Sequence, residues 1–194
     1  MIIKVLSRNT VKALLEKDKT SEQIEKLEYL NTYIQDIVPE NSLFISINNY
    51  ASAPDFDWPV DPKTNLELPP IPKEYLDRSL VLHFDDVVEG CINPNKVPYK
   101  IFNEKMADSV VEFLRHNLTR DITHIVAHCT AGISRSGAVG TVLNDYYNKF
   151  LEDNPEHWHR FQYSGHPKML DPNPTVSRYL RRKLGMSYND SETE

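Results

Sequence analysis

Long apolar runs, paired cysteines and an excess of positive charge are all missing from this chain. No stretch approaches the roughly 20 consecutive apolar residues of a membrane-spanning helix, and the apolar start, residues 1–6, is too short for the hydrophobic region of a secretory signal. Only Cys91 and Cys129 are present, without zinc-type pairing, which suits a reducing compartment better than a disulfide-stapled secreted domain. The net charge is −6, from 28 acidic against 22 basic residues, and no cluster of Lys and Arg offsets it. Nucleic acids and membrane surfaces are themselves anionic, so affinity for either is not expected. Internal repeats and low-complexity blocks are missing too. What remains is one globular domain over residues 1–194, expected to be soluble and cytoplasmic, and long enough to bury about 70% of its unfolded surface.

Apolar periodicity divides the chain into alternating strands and helices. Residues 2–6 read as a strand and residues 11–16 as a helix. Thr20 and Gln23 stand at capping-box spacing, and Ile24, Leu27, Leu30, Ile34 and Ile37 recur at helical period until Pro39. Residues 42–47 and 80–84 read as strands, separated by a long Pro- and Asp-rich loop, 48–72, of the kind that carries function. A second irregular stretch, 85–98, precedes a helix with Phe102, Met106, Val110, Phe113 and Leu114 on one side, and then a strand over 122–127. Ala138, Val139, Val142, Leu143, Tyr146 and Phe150 give the next helix a broad apolar face, as a central buried helix would have. The last helix carries Asn173 as N-cap, Pro174 at its first position and Gly185 past its end; residues 187–194 read as a frayed tail. This order predicts a single-domain α/β fold, a three-layer α/β/α sandwich around a mostly parallel central sheet.

The most informative stretch runs from Ile125 to Gly137. An apolar strand ends in Cys129, a short loop follows to Arg135, and an apolar-periodic helix begins. Backbone N–H groups of a tight loop that opens a helix converge on an oxyanion, and the helix dipole adds to the attraction. Gly132 permits the turn, and Arg135 can return to the same anion with a planar, bidentate fork. The same positive environment favours a thiolate at Cys129, the nucleophilic form. The chain thus presents a phosphate-binding loop, residues Thr130, Ala131, Gly132, Ile133, Ser134 and Arg135, beside a cysteine and between a central strand and a buried helix.

His128-Cys129, the intervening Thr-Ala-Gly-Ile-Ser and Arg135-Ser136 resemble the signature of the cysteine-dependent protein tyrosine and dual-specificity phosphatases. The resemblance implies Cys129 as nucleophile, Arg135 as phosphate ligand, Ser136 as a hydroxyl that stabilises the thiolate and assists hydrolysis of the phosphocysteine, and His128 as a support of the loop by hydrogen bonding. It also implies a general acid on a loop before the cysteine. Asp86, in Phe84-Asp85-Asp86-Val87, is expected in that role, with Asp85 as the alternative. Asp57-Trp58-Pro59-Val60-Asp61 is similar to the Trp-Pro-Asp loop of the large phosphotyrosine-specific enzymes, but Val60 interrupts it and it lies too far ahead of Cys129; Asp61 is a decoy. That departure and the short chain point to the small dual-specificity-like branch. Loop side chains without a Lys argue against a phosphoinositide substrate. The implied activity is removal of phosphate from tyrosine, and also serine or threonine, in a phosphorylated protein or peptide. A nucleotide or RNA 5′-phosphatase and a catalytically silent phosphate-recognition module are the rival readings. The chemistry calls for no cofactor and no metal. His157, His159 and His166, with Trp158, Phe161 and Tyr163, read as packing at the helix ends or the rim of the site, because histidines two apart on a helix diverge. Tyr50 and Trp58 are candidates to stack on an aryl phosphate, and Cys91 is a candidate redox partner of Cys129, as neighbouring thiols are in some members.

Overall fold

The computed structural model describes residues 1–16, 34–50, 59–91, 98–153, 156, 160–163 and 170–186. Five strands, β1 (Ile2–Ser7), β2 (Ser42–Asn48), β3 (Ser79–His83), β4 (His124–Cys129) and β5 (Phe161–Tyr163), form one sheet in the order β3-β2-β4-β1-β5. Every pairing is parallel, so the sheet is wholly rather than mostly parallel among the described residues. Parallel strands are covered on both faces, which is why β2 and β4 are buried along their whole length.

Side chains alternate across the sheet and build two cores. Ile3, Val5, Ile45, Ile47, Ile125 and Ala127 pack with Val110 and Leu114 of α2 (Glu104–Asn117), Val139 and Val142 of α3 (Arg135–Asn144), and Val176 and Leu180 of α4 (Pro174–Lys183). Leu6, Phe44 and Val126 face the other way, against Val11 and Leu15 of α1 (Arg8–Leu15) and against Ile34, Ile37 and Ile71. The result is the three-layer α/β/α fold. Helix α3 lies close on β1: a Cβ at Gly140 would come within 2.2 Å of Val5 Cγ2. The chain leaves β1 toward one face and β4 toward the other, so the carboxyl end of β4 opens where connections diverge, the usual position of a ligand site in such sheets.

Three features differ from the sequence-based expectation. β4 runs from His124 to Cys129, two residues further along the chain at each end than the expected 122–127, and ends in the cysteine as expected. Helix α3 gives way at Asp145 to a π-helical turn that ends at Phe150. The edge strand β5 pairs with β1 through three residues, too few for periodicity to register. The capping-box pair Thr20 and Gln23 with Ile24, Leu27 and Leu30, the residues Trp58, His157, Trp158, His159 and His166, and the tail 187–194 lie outside the described residues. No helix among the described residues is long and apolar enough to cross a membrane.

Candidate active site

Cys129 sits at the floor of the loop, 2% exposed, with its Sγ 3.1 Å from the Ser136 hydroxyl that donates to it. Ser136 is wholly buried in the first turn of α3. Helix α3 starts with Ser134 as N-cap, whose side chain caps no backbone N–H, and its first turn holds no acid. Among the described residues no acceptor is met by the backbone N–H groups of residues 131–134. Unpartnered N–H groups that open a helix form a preorganised anion cradle, since the dipole and the converging donors act together.

Gly132 is what lets the loop close. Its φ is +76°, and a Cβ there would stand 2.7 Å from the Leu6 carbonyl carbon and from the Ser7 nitrogen. The loop is therefore pressed onto the β1–α1 junction, where Arg8 N–H also donates to the Thr130 carbonyl at 3.3 Å. Any side chain at 132 must move backbone on both sides, so this position admits only glycine.

Arg135 is 3% exposed and anchored from one end: Nη1 donates to the Phe84 carbonyl at 2.8 Å, and the guanidinium carbon lies 5.9 Å from the Phe84 ring centroid. Nη2 reaches the Thr130 hydroxyl at 3.3 Å, while Nε is buried with no hydrogen-bond partner. The Nε–Nη2 edge is the one that can grip two oxygens of a tetrahedral anion. Asp86 stands beside it, with Oδ2 at 4.0 Å from Nε and the side chain 39% exposed.

The two adjacent aspartates point to different tasks. Asp86 Oδ1 accepts from the Ser134 hydroxyl at 2.8 Å and from the Asn173 amide at 3.1 Å, which puts its carboxylate at the loop. Asp85 instead accepts from the Lys100 backbone N–H at 2.9 Å through Oδ2, and its own N–H donates to the Lys100 carbonyl at 2.8 Å. Asp85 closes the base of its loop; Asp86 faces the cradle.

His128 departs from the expectation. It is fully buried on the opposite face of β4 from Cys129, neither ring nitrogen has a hydrogen-bond partner of normal geometry, and the Cys129 backbone lies near enough to favour the protonated ring. Burial, reinforced by the Arg8 charge, depresses its pKa from an ordinary 6.5 to about 3. The ring is neutral and supports the loop chiefly by filling space. The consequence is a pH-dependent stability. Between pH 6.5 and about 3 the unfolded chain binds a proton at this residue that the folded chain refuses. Stability is complete above pH 6.5 and falls with acid by about 1.4 kcal/mol per pH unit across the window. Urea titrations at pH 7, 6 and 5 should show that slope in the native protein and a correspondingly flatter one in His128→Asn; parallel curves would contradict it.

The remaining candidates sit as follows. Asp61 uses its carboxylate on its own turn, accepting from Lys63 N–H at 3.0 Å and the Thr64 hydroxyl at 2.9 Å, and these bonds hold its pKa below the ordinary value. Tyr50 is 41% exposed, and Lys100 Nζ lies 4.4 Å from its ring centroid. Cys91 is exposed and Cys129 buried, both as free thiols. Three roles escaped the sequence reading: the Ser134 hydroxyl; the Asn173 amide; and the buried ion pair between Arg8 Nη1 and Glu67 Oε1 at 3.2 Å. Arg8 also donates to the Leu68 carbonyl and to Asn48 Oδ1, which ties the loop around Glu67 to the sheet end. A buried Glu in a polar loop could have flagged the last of these; nothing local marks the first two. No family model, curated protein or solved structure matches this chain.

Proposed function

We propose that this chain is a phosphomonoesterase of the small dual-specificity-like kind, acting through a phosphocysteine intermediate on phosphotyrosine, and also on phosphoserine or phosphothreonine, in proteins. One observation carries the reading. A buried cysteine, paired with a serine hydroxyl, opens a loop whose backbone N–H groups are unpartnered among the described residues, with a buried arginine edge and, beside that edge, a separately supplied carboxyl group.

In this mechanism the Cys129 thiolate attacks phosphorus in line, forming the S–P bond as the P–O bond to the leaving group breaks. Asp86, protonated, gives its proton to the departing oxygen. The loop N–H groups and the Arg135 edge hold the three remaining oxygens, whose charge shifts toward the transition state. Asp86, now a carboxylate, then takes a proton from water as that water attacks phosphorus; the S–P bond breaks and the Ser136 hydroxyl receives the thiolate. No step calls on a metal or cofactor. A thiolate nucleophile needs a reducing environment, so the cytoplasm is the proposed location.

Side-by-side turnover of a phosphotyrosine peptide, a phosphoserine peptide and a 5′-triphosphorylated RNA tests the substrate class. Fastest turnover of the phosphotyrosine peptide is expected; preference for the RNA would replace the reading with a 5′-phosphatase, and turnover of none with a phosphate-recognition module. Arg135→Lys should be nearly as damaging as Arg135→Ala, because lysine keeps the charge and loses both the fork and the anchor on Phe84. Losses in kcat and in KM are expected together. A Lys variant within about tenfold of the native kcat/KM, about 1.4 kcal/mol, would mean that charge alone suffices.

A further inference from the structure

We infer that Asn173, the N-cap of α4, is the positioning residue that holds the Asp86 carboxyl group over the phosphate cradle. The inference rests on the proposed role of Asp86 and extends it to a residue nearly ninety positions away in sequence.

Every polar group of Asn173 is engaged, and the two ends of its amide do different work. Oδ1 accepts from the backbone N–H groups of Thr175 at 3.1 Å and Val176 at 3.2 Å, a helix N-cap of the ordinary kind. That duty needs only an oxygen. Nδ2 points away from the helix and donates to Asp86 Oδ1 at 3.1 Å and to the Val87 carbonyl at 3.3 Å. The backbone N–H of Asn173 donates to the Ser134 carbonyl at 3.2 Å. One residue, 5% exposed, thus joins the end of the phosphate loop, the acid-bearing loop and the start of α4. Serine, threonine or aspartate would cap the helix as well; the amide carries, besides the capping oxygen, a separate nitrogen that extends to Asp86.

The acid loop has further bonds to the same helix, which make the arrangement a strap. Glu89 N–H donates to the Thr175 hydroxyl at 3.2 Å, and the Glu89 carboxylate pairs with Arg178. Both lie outward of Asp86. Asn173 is the member that touches the carboxylate itself, and with Ser134 it fixes one oxygen, Oδ1, leaving Oδ2 toward Arg135. A general acid must present a chosen oxygen to the leaving group within hydrogen-bond reach, and on an exposed bend it is these contacts that restrict the carboxylate.

Asn173→Ser keeps the cap and loses the amide nitrogen that reaches Asp86, so helix stability and the amide contact can be separated. The native protein, Asp86→Asn, Asn173→Ser and Asn173→Asp are compared by kcat/KM, which reports the steps through formation of the phosphocysteine and not its hydrolysis, on phenyl phosphate, whose leaving group needs a proton, and on 2,4-dinitrophenyl phosphate, whose leaving group departs as a stable anion. Thermal midpoints are recorded for all four. The inference predicts that Asn173→Ser loses about tenfold to a hundredfold in kcat/KM on phenyl phosphate, stays within about twofold in kcat/KM on the dinitrophenyl ester, and unfolds within a few degrees of the native protein. Asn173→Asp, which also caps but puts a second carboxylate against Asp86, should show the same leaving-group dependence and serves if the serine variant does not fold. Equal losses on both esters, or none on either, would overturn the inference. If Asp86→Asn shows the leaving-group dependence and both Asn173 variants lack it, only the positioning role is lost. If Asp86→Asn lacks it as well, the assignment of the acid fails and the positioning role with it.

Discussion

Cys129→Ser should abolish turnover and preserve phosphate binding. The hydroxyl is close in size to the thiol, and the site is 2% exposed and bounded by the Ser136 hydroxyl, so the loop has no packing reason to rearrange. What disappears is the sulfur nucleophile, whose reactive form is the thiolate. Initial rates on an aryl phosphate are expected to fall by more than about 10²-fold, while orthophosphate binding measured by calorimetry stays near the native level, since Arg135 and the loop N–H groups are untouched. A serine variant that retains more than about a hundredth of the native rate would place the nucleophile elsewhere.

Asp86→Asn should cut kcat/KM on phenyl or alkyl phosphates by about 10² to 10⁴ and have far less effect on kcat/KM for leaving groups that depart as anions. The substitution is nearly isosteric, and an amide oxygen still accepts from the Ser134 hydroxyl and the Asn173 amide, so the loop should hold its place. Asp85→Asn is the control. Its side-chain oxygen can still receive the Lys100 N–H, and it does not face the cradle, so a change of no more than a few-fold is expected. Reversal of the two phenotypes would move the acid by one residue and leave the chemistry intact; equal indifference would remove it from this loop.

The contrast between these two aspartates shows where sequence reasoning reached and where it stopped. Strands β1, β2 and β4 and helices α2, α3 and α4 were legible because their apolar periods persist over many residues, and the phosphate loop because its parts are contiguous in the chain. β5 was not, since three residues carry no period. Asp86 against Asp85 depends on which carboxylate meets Ser134 and which meets Lys100, and those partners are set by tertiary packing. The same holds for Asn173, whose capping role could be read locally and whose reach to Asp86 could not. His128 is a different case. Adjacent residues of a strand face opposite sides, so a cysteine aimed at α3 already implies a histidine aimed at the α1 layer, and the expectation of a hydrogen bond beneath the loop neglected that alternation.

The central claim is covalent chemistry at Cys129, and rapid acid quenching tests it most directly. The protein is mixed with a phosphotyrosine peptide carrying labelled phosphate, quenched within the first turnovers, digested and mapped. Label is predicted on the peptide that contains Cys129 and in no digest of Cys129→Ser, with build-up increased in Asp86→Asn on an ester whose leaving group departs unaided, because hydrolysis of the intermediate then lacks its base. Steady turnover with no label on protein, or with label on any other residue, would contradict the account.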